Sequence, residues 1–245
     1  MPEGPSIVIL REAATPVMRG KVLEVDGNSK LDLQRMHGQR VTALRSWGKH
    51  FLICFPGFAM RVHFMLFGSF RINERKESRP RLSLRFKAGE VNFYACSLRY
   101  VEGDVEDSYD FSGDVMSDDW DPKAARKKLK ARPDMLACDA LLDQDIFAGV
   151  GNIIKNEVLY RIKVQPESTI GALPPRRLTQ LIAQAREYSF DFYEWKKAYV
   201  LRKHWLAHTK RTCIRCGVRM QYRAKLGRSQ RRAFFCDQCQ VLYAD

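Results

Sequence analysis

The sequence has no apolar run near the ~18–20 residues that a membrane-spanning helix needs. It has no internal repeat and no low-complexity tract. Its opening, Met1-Pro2-Glu3-Gly4-Pro5, lacks the basic start and apolar core of a signal peptide. These absences argue against a membrane protein, a solenoid and a secreted, disulfide-stapled fold. The expected location is the cytoplasm, associated with the bacterial nucleoid, or the nucleus if the source is eukaryotic. No cluster of histidines and carboxylates has metal-site spacing, so no catalytic metal is expected. No organic cofactor is expected either. Acids are outnumbered: 28 Asp and Glu face 42 Lys and Arg, for a formal net charge of +14. Such an excess calls for a polyanionic partner, nucleic acid ahead of an anionic membrane surface.

A chain of 245 residues that is 45% hydrophobic can bury a sizeable core. A helix is expected over 6–19, kinked at Pro16 and ended by Gly20. From Val22 to about Tyr100, short apolar or alternating runs recur between turn residues: Val41 to Arg45, Phe51 to Phe55, Ala59 to Phe64, Ser69 to Ile72, Leu82 to Phe86 and Val91 to Tyr94. That texture predicts an antiparallel sandwich or barrel. Residues 102–121 carry nine acids and no Lys or Arg, which reads as a solvated boundary. Helical patterns follow at Lys123 to Lys130, Met135 to Leu142, Ile153 to Tyr160 and Arg176 to Phe192. Residues 196–232 reverse the sign, with thirteen Lys or Arg and no acid, so charge is separated by region.

The sharpest motif is Cys213-x2-Cys216, nineteen residues, then Cys236-x2-Cys239. Two such knuckles offer four thiolates to one tetrahedral ion, the spacing of a structural zinc ribbon. Redox dithiols or disulfides are the alternative. Arg219, Arg223, Lys225, Arg228, Arg231 and Arg232 lie between the knuckles and suit phosphate contact, or a merely soluble surface. Ala148-Gly149-Val150-Gly151-Asn152 precedes an apolar helix; it is a tight turn or a phosphate grip at a helix start. Pro2 becomes a secondary amine if Met1 is removed, and an amine can attack an aldehyde-level carbon, with Glu3 moving protons. A capped helix start is the plainer reading. Lys49 in Trp47-Gly48-Lys49-His50 is an ordinary solvated hairpin lysine or a functional one. His63 alternates with apolar neighbours, as core or edge histidines do. Met65-Leu66-Phe67-Gly68 is either core strand or a wedge for a base stack.

Taken together, Pro2-Glu3-Gly4-Pro5, the Gly48-Lys49 hairpin, Leu141-Leu142-Asp143-Gln144 with Ala148 to Asn152, and the four-cysteine ribbon resemble the formamidopyrimidine-DNA glycosylase / endonuclease VIII family, on its endonuclease VIII-like branch. The resemblance spans essentially the whole chain. It implies an α+β fold: an N-terminal helix plus antiparallel β-sandwich (1–118), a helical helix–two-turn–helix domain (119–205), and a zinc ribbon packed on it (206–245). It implies base-excision repair by a bifunctional DNA glycosylase/AP lyase. Pro2 would form a Schiff base with C1′, Glu3 would act as acid/base, and Lys49 would bind phosphate at the lesion and support catalysis. His63, Asn152 and Arg231 would contact phosphate, with adjacent Arg232 as the alternative to Arg231. Met65, Leu66 and Phe67 would fill the gap left by the flipped nucleotide, Leu66 foremost. Cys213, Cys216, Cys236 and Cys239 would hold one structural Zn2+. The partner would be double-stranded DNA with oxidised bases or abasic sites, held by a monomer between its two halves, with no membrane involved. The compact stretch between Asn152 and Cys213, and the wedge triplet on one hairpin, favour oxidised pyrimidines; the Schiff-base chemistry the resemblance implies gives strand cleavage by β,δ-elimination. Ser6 stands where many members of the family carry glutamate, so different base-pocket contacts are expected. Oxidised purines, or a non-catalytic damaged-DNA-binding protein, are the alternatives.

Overall fold

The computed structural model describes residues 2–244, and the chain divides between Asp110 and Phe111 into two compact units. The first opens with helix α1 (Gly4–Ala14), whose Pro5 suits a first turn with no N–H partner to lose. Ile7, Leu10 and Ala14 form its buried stripe. The helix ends at Ala14 instead of running on to Gly20. Thr15 keeps helical backbone and its hydroxyl donates to the Arg11 carbonyl at 2.6 Å, but Pro16 has no N–H to carry the ladder on, and the chain leaves through turns.

Ten strands occur in the chain as described: β1 (Gly20–Lys21), β2 (Glu24–Asp26), β3 (Arg40–Val41), β4 (Ala43–Trp47), β5 (His50–Phe55), β6 (Phe58–Ile72), β7 (Leu82–Phe86), β8 (Gly89–Glu102), β9 (Gln221–Leu226) and β10 (Arg231–Phe235). The first unit holds a six-stranded antiparallel sheet in the order β2-β7-β8-β6-β5-β4 and the small pair β1-β3. Phe51, Ile53 and Phe55 of β5 face the α1 side with Val62, Leu84 and Phe93. Leu52 faces the other side, where Ala59, Val105, Trp47 and Tyr109 cover it. Both faces of β5 are therefore buried, which explains its continuous apolar run. Burying each such side chain contributes about 1.5–3 kcal/mol.

The acidic stretch is more than the solvated boundary expected from its charge. Helix α2 (Val105–Ser108) packs Val105 onto the sheet, Glu106 pairs with Arg45, and the Asp110 carbonyl accepts from the Trp47 indole at 2.9 Å. Asp121 caps helix α3 (Pro122–Lys130) by accepting from the Lys123 N–H at 2.8 Å. Helices α4 (Ala137–Leu142), α5 (Asn152–Arg161) and α6 (Pro175–Lys197) complete the helical part of the second unit. Its core joins Leu141, Phe147, Ile154, Val158, Leu181 and Tyr188. The antiparallel hairpin β9-β10 packs against α5 through a second, smaller cluster around Tyr160, Met220 and Cys236. The architecture is α+β, as read from the sequence. No helix among the described residues is long and apolar enough to cross a membrane.

Candidate functional site

In the first unit, Pro2 is half-buried and Glu3 is only 2% exposed, at the head of α1. That helix rests on β4 and β5, and Lys49 lies in the two-residue turn that joins them. Gly48 takes φ +52°, the left-handed geometry that two-residue hairpins ask of a first turn residue. His63, across from His50 in β6, donates from Nδ1 to the Lys49 carbonyl at 3.2 Å and meets the His50 ring edge-on. The bond fixes Nδ1–H on His63, leaving Nε2 as the nitrogen for any ligand. Burial pushes the pKa of both imidazoles down, His50 to about 3.

Met65, Leu66 and Phe67 are 53%, 57% and 85% exposed. They ride on a bulge: β6 and β8 pair at Phe64↔Cys96 and resume at Ser69↔Tyr94, so four residues face Ala95 alone. Ala95 absorbs the mismatch with φ +47°. Gly68 permits the fold-back, because a Cβ there would lie 2.6 Å from the Phe64 Cβ and 2.9 Å from the Ala95 carbonyl oxygen. Three large apolar side chains in water carry a hydrophobic cost that a partner must offset.

In the second unit, Asn152 is the first residue of α5, after a turn in which Gly149 takes φ +100°. Gln144 braces the turn: its Nε2 donates to the Leu142 carbonyl at 2.8 Å and the Val150 carbonyl at 3.2 Å, while its Oε1 accepts from the Gly149 N–H at 3.2 Å. Oδ1 of Asn152 is buried without a hydrogen-bond partner, the signature of a polar site that a ligand or water completes. Arg231 and Arg232 are both exposed near the start of β10. The sulfurs of Cys213, Cys216, Cys236 and Cys239 lie within 4.8 Å of one another, with 3.8 Å between Cys213 and Cys239 and 3.5 Å between Cys216 and Cys236. A tetrahedral ion with ~2.3 Å metal–sulfur bonds sets sulfur–sulfur edges of about 3.8 Å, so the four residues could hold a metal ion. The Tyr160 hydroxyl lies 3.1 Å from the Cys213 sulfur and ties α5 to this cluster.

Sequence reading missed the polar interior of the second unit. Glu157 is fully buried and accepts from the N–H groups of Leu206, Ala207 and His208 at 2.9, 2.9 and 2.7 Å. Burial pushes its carboxyl pKa up, and those three donors pull it back. Lys155 is 1% exposed and Asn156 is also buried. The consecutive Lys155-Asn156-Glu157 inside an apolar helix was the available signal; nothing local says which side faces inward.

The formamidopyrimidine-DNA glycosylase N-terminal domain model matches residues 1–101, and the formamidopyrimidine-DNA glycosylase H2TH domain model matches 112–188. Endonuclease 8-like 3 of Xenopus laevis is 29% identical over 232 residues, 89% of this chain and 38% of that protein. The chain spans under two fifths of the length of this relative and of its mouse counterpart, which it covers to 36%. DNA-(apurinic or apyrimidinic site) lyase Nei2 of Mycolicibacterium smegmatis is 27% identical over 259 residues, covering 98% of this chain and 99% of that one. The fold is similar to that of Lactococcus lactis formamidopyrimidine-DNA glycosylase bound to abasic-site DNA, with TM-score 0.84, 19% identity, and coverage of 97% and 99%. With both domain models matched in order along one chain, this protein belongs to the formamidopyrimidine-DNA glycosylase / endonuclease VIII family.

Proposed function

We propose that the protein is a bifunctional DNA glycosylase/AP lyase that excises oxidised bases, pyrimidines favoured, and acts as a monomer on duplex DNA. The observation that carries the reading is the Pro2–Glu3 pair at the head of α1, a half-buried imino acid beside a buried carboxylate. Once Met1 is removed, the Pro2 nitrogen attacks C1′ and the bond from C1′ to the damaged base breaks, its electron pair leaving with the base, which takes a proton from water, while the Pro2 N–H proton passes to Glu3. Glu3 donates a proton as the sugar ring opens, and the nitrogen lone pair makes a charged iminium. The iminium acidifies C2′–H; loss of that proton expels the 3′ phosphate, and a second elimination expels the 5′ phosphate. Lys49, His63, Asn152 and Arg231 or Arg232 hold phosphate near the lesion. Met65, Leu66 and Phe67 fill the gap behind the flipped nucleotide, at an unstacking cost of about a few kcal/mol. Their grouping on a single bulge, opposite Ala95 alone, supports the pyrimidine preference.

The metal held by the four cysteines is zinc in this reading. With sulfur in all four positions, it supplies a structural cross-link. The L. lactis enzyme in the similar structures is described with abasic-site and oxidised-pyrimidine DNA, which supports a DNA ligand of this kind here. Borohydride in the presence of thymine-glycol duplex should trap a covalent complex of wild-type protein. Pro2→Gly and Glu3→Gln proteins should give no trapped complex and no strand cleavage. Equal cleavage by those variants, or an intact Met1 on fully active protein by mass spectrometry, overturns the reading. Binding of the lesion with no trapped product favours a non-catalytic damaged-DNA-binding protein. An 8-oxoguanine duplex in the same panel tests the purine alternative.

A further inference from the structure

The ribbon hairpin is fastened to the helical part of its unit at two points, and Arg231 lies between them. At the tip, Asp139 of α4 takes three hydrogen bonds on one carboxylate. Arg228 N–H donates to Oδ2 at 2.7 Å, while Ser229 N–H and Ser229 hydroxyl both donate to Oδ1 at 2.9 Å. The approach is close enough to demand glycine next door. Gly227 has φ +65°, and a Cβ there would lie 2.5–2.8 Å from the Asp139 carboxyl atoms. On the far side, Lys155 Nζ donates to the Arg232 carbonyl at 2.8 Å, and Asn156 accepts from the Phe234 N–H at 3.2 Å.

Lys155 stands three residues after Asn152, where a lysine would be read as a phosphate contact. Its burial at 1% exposure and its carbonyl partner give it a different job. Helices α4 and α5 flank the Gly149–Asn152 turn, and each holds one side of the segment that carries Arg231. An isolated two-stranded hairpin is marginally stable in water, and its exposed arginines would wander without such anchors. A phosphate contact needs its supports fixed to within about 0.5 Å.

We infer that Asp139 and Lys155 are positioning residues that lock the ribbon arginine to the Asn152 turn, joining two phosphate contacts into one rigid clamp. The inference rests on the DNA-binding reading above, and its sign is unusual. Asp139 is an anion set against a basic hairpin, so its removal should strengthen binding to DNA if charge alone mattered. If it positions Arg231, removal weakens binding instead.

The test uses full-length, zinc-loaded protein and fluorescence anisotropy on a duplex with a tetrahydrofuran abasic analogue. The proteins are wild type, Asp139→Ala, Arg231→Ala and the double variant. Arg231→Ala and Asp139→Ala should each weaken binding by about tenfold. The double variant should be no weaker than Arg231→Ala, because Asp139 acts through that arginine. The slope of log K against log salt should fall by about one in Asp139→Ala although no cation was removed. Asp139→Asn and Gly227→Ala, which disturb the same contact differently, should show the same weakening if Asp139→Ala does not fold. Metal stoichiometry should stay at one. Wild-type or tighter binding by Asp139→Ala, or effects that multiply in the double variant, overturn the inference. Unchanged binding by Arg231→Ala, by contrast, counts against that arginine as a DNA contact and leaves the anchoring to be read from amide exchange at 227–232.

Discussion

Phe67 is the most exposed of the three bulge side chains, and nothing in its own unit rewards that exposure. Leu66→Ala and Phe67→Ala should therefore leave the melting temperature unchanged and weaken binding to an abasic duplex by about tenfold or more, since inserted apolar area is lost. Calorimetry and anisotropy read the two effects separately. Gly68→Ala behaves in the opposite way. Its Cβ meets Phe64 at 2.6 Å, so it should destabilise the fold by about 1–3 kcal/mol in urea titrations. The buried imidazoles set an acid limit. Burial pushes His50 down to about 3, and burial, with Arg232 and Lys155 nearby, pushes His208 to about 4, whereas both sit near 6.5 when unfolded. The unfolded chain thus binds more protons below pH 6.5. Stability is complete above that value and falls as pH drops toward 4, by up to about 1.4 kcal/mol per pH unit for each group. His50→Asn should flatten that part of the urea-midpoint profile between pH 6.5 and 4.5.

At the scale of elements, the hairpin β4-β5, the bulge in β6 and the turn before α5 are each marked by glycine, and each was legible as punctuation. Gly48 and Gly149 have positive φ, and Gly68 allows a close approach. The bulge was read as separate runs because a strand that skips register looks like two strands. The ribbon is legible for a different reason: metal-ligand spacing is local, so Cys213-x2-Cys216 and Cys236-x2-Cys239 declare their geometry without the rest of the fold. If the four cysteines hold zinc as proposed, a strong chelator should loosen β9-β10 and abolish lesion-DNA binding, because the cross-link that ties the two knuckles is lost. Hydrogen exchange should then rise across 211–241 while amides of β5, β6 and β8 keep their protection. Helix α5 was the opaque element. Its buried Lys155, Asn156 and Glu157 break the apolar-face rule by which helices are oriented.

For the molecule as a whole, the formal charge of +14 and the basic stretch 196–232 foretell a steep salt response. Affinity for lesion duplex should fall by a factor of about ten or more between 50 and 200 mM salt. A flat titration would separate the basic surface from the DNA surface. The acidic stretch shows how far charge counting goes. It does contain the division between the units, yet Val105 is buried in the sheet's outer cluster and Asp121 caps a helix.

Composition and short motifs were enough to establish an α+β chain with a basic stretch, a four-thiol centre and a glycine-marked helix start, because each depends on neighbours within a few residues. The anchoring of the ribbon came only with the folded chain. Lys155 and Arg232 are 77 positions apart, and Asp139 and Arg228 are 89. A polar side chain's partner at such separations is chosen by how whole elements pack, and until they pack, a lysine beside a phosphate-type turn and an aspartate on a short helix look like surface charges.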